Sequence, residues 1–190
     1  MFVDHNGRVH VVWNDNKIEM RYKYCESGDY LSSGTTITLP RDTPKLQRPE
    51  VFVDRNDNVH IVCNAHMLNG MDFHIGYWTK TMSETSFPNP VHVNIDMFTL
   101  TDYIPYPSVA AVSQERVFVS YAWDSDDTEP AEEVFVSTND STVGNWTVYP
   151  IGKGAFQEET RSVMAVTDDT VYMVFRGLDG NLLLETYDLN

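Results

Sequence analysis

The segments FVDHNGRVHVVWN (residues 2–14) and FVDRNDNVHIVCN (residues 52–64) agree at most positions when the chain is shifted by 50 residues. Two more divergent copies read PSVAAV with RVFVSY (107–112 and 116–121) and SVMAV with TVYMVF (162–166 and 170–175). Equivalent valines mark the copies, at spacings of 50, 58 and 54 residues: Val9, Val59, Val117 and Val171. A period of this length indicates one supersecondary unit that is used four times.

The local pattern of each copy is that of a β-hairpin. A short β-branched strand leads into a turn rich in Asn, Asp and Gly, and a second strand follows. Asn6-Gly7 and Asp57-Asn58 are the predicted turn residues, because they tolerate positive φ at low cost. Every copy is expected to have a third strand, and the first three a fourth, so the chain should hold about fifteen strands. The expected third strands are Ile18–Cys25, Phe73–Thr81, Glu133–Ser137 and Leu182–Tyr187, and the fourth strands Thr35–Leu39, Val91–Ile95 and Trp146–Ile151. We see no sustained helical periodicity, and we predict an all-β fold.

Several segments resemble blades of the sialidase-like (BNR-repeat) β-propeller superfamily. VDHNGRVHVVW at 3–13 and VDRNDNVHIVC at 53–63 look like the first hairpin of such a blade. STNDSTVGNWT at 137–147 resembles a degenerate Asp-box, a structural turn between the third and fourth strands, with Ser137, Asp140, Gly144 and Trp146 at its conserved positions. The resemblance implies one β-propeller domain over 1–190, with about four sialidase-like four-stranded blades near 1–45, 46–98, 103–152 and 156–190.

Closure of this propeller is open to two interpretations. The fourth copy contains only three expected strands, and neither chain end offers an obvious spare one. The four blades either close as a small ring, or form an arc that a second copy of the chain completes as a homo-oligomer. An arc would expose an apolar blade face, which soluble proteins avoid unless the face is an interface.

Charge narrows the classes of partner. The chain has 13 basic and 28 acidic residues, a net charge of −15. Such a surface repels nucleic acid and anionic membrane surfaces, and no apolar run reaches the roughly 18 residues of a membrane span. Met1 leads directly into the first repeat, so we expect no signal peptide. The sequence does not identify the compartment. An extracellular or virion-associated location is compatible with it. Cys25 and Cys63 are expected to be free, buried thiols.

The resemblance does not extend to a sialidase active site. The Arg-Ile-Pro motif is broken because Pro49 directly follows Arg48, and no nucleophile pair is recognisable. Arginines near inner strands could still clamp a carboxylate bidentately, and aromatic rings near strand ends could stack on sugars. These are the predicted ligand-binding residues, with surface and core roles as the alternative: Arg48, Arg176, Trp123, Tyr103 and Tyr106.

A lyase site is the competing catalytic hypothesis. HIVCNAH at 60–66 resembles BNR propellers that act on acidic polysaccharides, and His66 matches their groove histidine. A neutral His66 could act as acid or base in elimination, and Tyr121 could donate a proton. Arg161 or Arg176 could neutralise the uronate. The alternative makes His66 an ordinary loop histidine and Tyr121 a core aromatic. His10 and His60 occupy equivalent repeat positions and are predicted to be structural.

An acidic loop, DSDDTEPAEE at 124–133, is the one candidate for a metal. Its carboxylates suit Ca²⁺, which prefers oxygen ligands: Asp124, Asp126, Asp127 and Glu129. The loop lacks the glycine and spacing of a Ca²⁺-binding loop, so a solvated acidic loop is the simpler interpretation. We expect no metal and no other cofactor.

Taken together, the sequence predicts a carbohydrate- or glycan-binding, lectin-like propeller module without an intact sialidase site, suited to recognition at a virion or cell surface. The first alternative is a polysaccharide lyase or glycosidase. The second is a structural module that assembles through an unclosed edge.

Overall fold

The four sequence repeats fold into four antiparallel sheets. The computed structural model describes residues 1–15, 18–26, 28–29, 34–66, 73–93, 106–123, 131–139, 145–155, 162–177 and 179–189. These residues form fifteen strands, and none of them lies in a helix. In this part of the chain nothing has the helical length and hydrophobicity that a membrane crossing requires. The prediction of an all-β chain is confirmed.

Each sheet is a meander whose strands are neighbours in chain order. The first sheet contains β1 (Phe2–Val3), β2 (Val9–Asp15), β3 (Glu19–Cys25) and β4 (Ile37–Thr38). The second contains β5 (Lys45–Val53), β6 (Asn58–His66), β7 (Phe73–Thr81) and β8 (Val91–His92). The third contains β9 (Ser108–Ser113), β10 (Arg116–Trp123), β11 (Ala131–Asn139) and β12 (Trp146–Ala155). The fourth contains β13 (Val163–Val166), β14 (Thr170–Arg176) and β15 (Leu182–Asp188).

The first hairpin of each of the first two sheets is stabilised by an aspartate. Oδ1 of Asp4 accepts the backbone N–H groups of Asn6 and Arg8, each at 2.9 Å. Asp54 makes the equivalent pair of bonds in the second sheet, at 2.8 and 2.9 Å. Such Asx turns bring the chain round in few residues. The left-handed residues are Gly7 (φ 77°) and Asp57 (φ 62°), which lie within the predicted turns.

The sheets pack face to face in chain order, with one apolar cluster between each consecutive pair. The first cluster joins β2 and β3 to the second sheet and includes Val12, Met20, Tyr22, Val59, Ile61 and Trp78. The second joins the second and third sheets through Val62, Ile75, Tyr77, Val109, Val117 and Tyr121. The third joins the third and fourth sheets through Ala110, Phe118, Met164, Val171 and Met173. Cys25 and Cys63 are free, buried thiols, as predicted.

Both ends of this stack leave apolar side chains exposed. Val3 in the first sheet is 56% exposed, and Val163 and Leu184 in the fourth are 62% and 61% exposed. These exposures do not decide between a closed ring and an arc, so both arrangements stay predictions.

Candidate functional site

The inner strand of the second sheet is interrupted at Arg48-Pro49. Gln47 pairs with Asn64 and Glu50 pairs with Val62, so two residues of β5 oppose a single residue of β6. Arg48 adopts φ 53°, a left-handed conformation that is uncommon outside glycine. Proline has no N–H to donate, so it is tolerated in a strand where the ladder is already broken. Bulges of this kind re-aim side chains, and here the bulge turns Arg48 out of the ladder.

Arg48 meets an aromatic residue from the start of the third sheet. Its guanidinium carbon lies 3.5 Å from the centroid of the Tyr106 ring, which is cation–π stacking distance. Both side chains are half-buried. Two residues that the sequence predicted as ligand-binding are thus brought together, although 58 positions separate them in the chain (106 − 48).

A carboxylate and a hydroxyl complete this group. The Ser108 hydroxyl donates to Oε1 of Glu50 at 2.8 Å, and Ser108 is fully buried. Glu50 follows the bulge and Ser108 begins β9, so this bond ties the two strands together two residues along the chain from Arg48 and from Tyr106. We call Arg48, Glu50, Tyr106 and Ser108 the Arg48 cluster. Sequence reasoning missed Glu50 and Ser108, because neither belongs to a motif.

The other predicted site residues lie elsewhere or outside the described part. Tyr121 is fully buried in the cluster between the second and third sheets, which favours the core-aromatic interpretation over proton donation to a ligand. Arg176 ends β14 in the fourth sheet. His66 ends β6 and Trp123 ends β10, but their side chains fall outside what the structure describes. The remaining candidates also lie outside the described residues: Tyr103, Arg161, Asp124, Asp126, Asp127 and Glu129.

Metal binding is not indicated by the part of the chain that is described. Its His, Cys, Asp and Glu side chains form no group of three or more that could hold a metal ion. The acidic loop proposed for Ca²⁺ lies in the remainder, so that interpretation stays a prediction.

The two equivalent histidines form buried relays with an aspartate and a tyrosine. Nε2 of His10 lies 3.0 Å from Oδ2 of Asp4, and Nδ1 lies 2.7 Å from the Tyr22 hydroxyl. In the second sheet His60 makes the same contacts, at 3.3 Å to Asp54 and 2.8 Å to the Tyr77 hydroxyl. Both histidines are fully buried. The repeat of 50 residues indicated this pair of histidines. It did not indicate the two tyrosines, because they are 55 residues apart (77 − 22).

Electrostatics fix the protonation of these relays. Burial alone would raise the pKa of Asp4, but hydrogen bonds from His10 and Arg8 outweigh it and lower that pKa to about 2. Burial lowers the pKa of His10 and His60. An ionised carboxylate can only accept, so Nε2 carries the proton of the neutral ring. Nδ1 then accepts from the tyrosine hydroxyl. Both relays are buried away from solvent, so their role is to stabilise the fold.

A cavity of about 280 Å³ lies where the first strands of the four sheets approach one another. Each sheet contributes to its wall, with Phe2, Phe52, Ala111 and Met164 as examples. An ion pair between Arg55 and Asp168 links the second and fourth sheets at its rim. The first strands therefore surround a common space.

Comparison with known proteins gives a likeness in fold. No family model matches the chain, and no curated protein matches its sequence. The structure is similar to that of a protein of unknown function from Dyadobacter fermentans, with a TM-score of 0.59 and 11% identity over 98% of this chain and 50% of that one. It is also similar to the NanB sialidase from Streptococcus pneumoniae, with a TM-score of 0.51 and 11% identity over 96% of this chain and 28% of that one. The chain thus spans half or less of either protein.

Proposed function

We propose that the chain is a sialidase-like propeller arc that binds glycans, and that the Arg48 cluster contacts the ligand. The observation that carries the proposal is the stacking of Arg48 on Tyr106 across the junction of the second and third sheets. The propeller interpretation is supported by four meander sheets that pack in chain order and by the cavity that their first strands share. The likeness in fold to a sialidase also supports it.

The chemistry of the cluster suits a sugar that carries one carboxylate. Stacking on Tyr106 fixes the orientation of the Arg48 guanidinium, and a guanidinium is the side-chain group best suited to bind a carboxylate through two N–H groups. The ring of Tyr106 offers an apolar surface to sugar C–H groups, and Glu50 can accept from a sugar hydroxyl. A net charge of −15 repels polyanions, which favours a terminal acidic sugar over an acidic polysaccharide.

A glycan array tests this function, followed by calorimetric titration of the best ligand and of its carboxyl-reduced form. We expect Arg48→Ala to weaken binding of the carboxylated glycan by about tenfold or more, because a charge-assisted pair is lost. The matched control is Arg55→Ala, which removes a more exposed, ion-paired arginine from the hairpin turn of the same sheet. An array without any bound glycan, or equal affinity of the Arg48→Ala variant, would refute the proposal.

A further inference from the structure

The outer edges of the four sheets differ in how well they are protected. In the first two sheets the outer strand, β4 or β8, is only two residues long. In the third sheet β12 contains Pro150 and Lys153 and pairs with β11 through a register shift. Short strands, prolines, lysines and bulges are the usual means by which proteins prevent edge-to-edge pairing.

The fourth sheet lacks these devices at its outer edge. β15 runs over seven residues without a proline, and its register with β14 is unbroken from Leu182 to Asp188. Three consecutive leucines occupy its start: Leu182, Leu183 and Leu184 are 76%, 39% and 61% exposed. Within the described residues no strand pairs with the other side of β15. A long, apolar, unprotected edge is a template for strand addition.

The other three sheets indicate what kind of group occupies this position. There the third strand pairs antiparallel with a fourth: β3 with β4, β7 with β8, and β11 with β12. The free edge of β15 is thus shaped for one more antiparallel strand. Such a strand also extends the apolar row that exposed Val163, half-buried Val174 and exposed Leu184 form across the fourth sheet.

We propose that β15 pairs antiparallel with β15 of a second copy, which joins two fourth sheets into one six-stranded sheet across a two-fold axis. Self-pairing is favoured by the distribution of charge along β15. Its leucines lie at the start and its acids, Glu185 and Asp188, at the end. A two-fold axis at the leucines pairs leucine with leucine, and neither Glu185 nor Asp188 then faces the same residue of the other copy. Registers centred on Glu185 would place two carboxylates opposite each other, which is destabilising.

This interface lies at the outer edge of the fourth sheet, whereas the Arg48 cluster lies at the junction of the second and third. Dimerisation therefore leaves the cluster accessible and presents two copies of it, so a multivalent glycan would bind with avidity. The proposal goes beyond glycan binding and does not depend on it.

Sedimentation velocity across a concentration series tests the dimer. We expect the intact chain to show a monomer–dimer equilibrium. The double variant Leu182→Lys/Leu184→Lys should raise the dimer dissociation constant by at least about tenfold, because lysines then face one another across the axis. Leu182→Glu/Leu184→Glu should do the same. Both changes are at well-exposed positions, so circular dichroism should report an unchanged fold.

Mixing the two double variants gives the decisive observation. Lysines of one then face glutamates of the other, and we expect a one-to-one heterodimer. Tyr149→Lys is the matched control, since Tyr149 is 47% exposed on the outer strand of the third sheet, and it should dimerise like the unmodified chain. A chain that stays monomeric, its β15 amides exchanging rapidly with deuterium, would overturn the proposal and leave the edge to a strand of another protein. A dimer that survives in the lysine variant would also overturn it.

Discussion

The first two sheets and the last two build the same hairpin with different polar groups. In the first two, a buried carboxylate caps the turn and also holds a histidine, as in Asp54 with His60. In the third and fourth sheets, side-chain hydroxyl oxygens accept the N–H groups of the turn instead. Oγ of Ser113 accepts the N–H of Glu115 at 3.3 Å, and Oγ1 of Thr167 accepts that of Thr170 at 3.1 Å.

The strand that follows each turn differs in the same way. Phe118 and Tyr172 stand where the first two sheets have His10 and His60, and Phe118 packs in an apolar cluster. The comparison shows that the hairpin does not require the relay. A relay that is fully hydrogen-bonded stabilises its sheet, but it makes that sheet depend on each of three side chains and on pH, because a half-satisfied buried network is costly.

The largest expected effect comes from breaking a relay at its carboxylate. Asp54→Ala removes the acceptor for two turn N–H groups, for the Asn58 amide and for His60. Leaving these buried donors without a partner should lower the free energy of unfolding by about 3 kcal/mol, measured by urea denaturation. The matched change in the fourth sheet, Thr167→Ala, affects an exposed turn and should cost less than about 1 kcal/mol. Equal losses in the two variants would show that the relays are not special.

The next largest effect should come from low pH, which should destabilise the first two sheets more than the last two. The pKa values of His10 and His60 lie below their ordinary value of 6.5, so below about pH 6.5 the unfolded chain takes up protons that the folded chain does not. Stability should therefore fall as the pH drops below 6.5. A second loss should follow between 3.8, the ordinary pKa of an aspartate, and about 2, the pKa of Asp4.

Urea denaturation at a series of pH values measures both losses. Hydrogen exchange should show protection lost first in the first two sheets. The double variant His10→Gln/His60→Gln should lack the loss that begins at pH 6.5 and keep the second. A stability that is flat between pH 7 and 5 would contradict this assignment of neutral, buried histidines.

The smallest effect is expected at the far end of a relay. Tyr22→Phe removes only the hydroxyl that donates to Nδ1 of His10 and keeps the ring in its cluster. It should cost about 1 kcal/mol, with Tyr77→Phe as the parallel change in the second sheet. The control is Tyr149→Phe at an exposed position, which should leave the unfolding curve unchanged. A loss as large as that of Asp54→Ala would mean that the ring has been displaced.

Strand positions could be predicted where the local residue pattern is typical of a strand and turn residues bound it. The predicted third strand of the second copy, Phe73–Thr81, matches β7, because it is rich in aromatic and β-branched residues and bounded by turn signals. Outer strands were less predictable. The expected fourth strand over 35–39 shrinks to Ile37–Thr38, since the extent of an edge strand depends on how much of it the neighbouring strand pairs. β12 extends beyond its predicted end, 151, to Ala155, because β11 pairs with it that far.

The candidate site was only partly predictable. Arg48 was predicted from its place at an inner strand and Tyr106 from its place near a strand end, but their contact depends on a bulge that no local pattern signals. Glu50 and Ser108 carry no motif at all. Tyr121, named beside them as a proton donor, lies in the core instead, because alternation along β10 turns it towards the second sheet.

What the sequence determined by itself is the repeated hairpin. Asp4 with Gly7, and Asp54 with Asp57, bend the chain within a few residues, so the information is local and can be read in order. The tertiary structure alone decided which side chains meet between sheets and which strand edge is unpaired among the described residues. The contact of Arg48 with Tyr106 and the exposed leucines of β15 both depend on how whole sheets pack. Packing joins residues that are distant in the chain, and the free energy of such contacts belongs to no single segment.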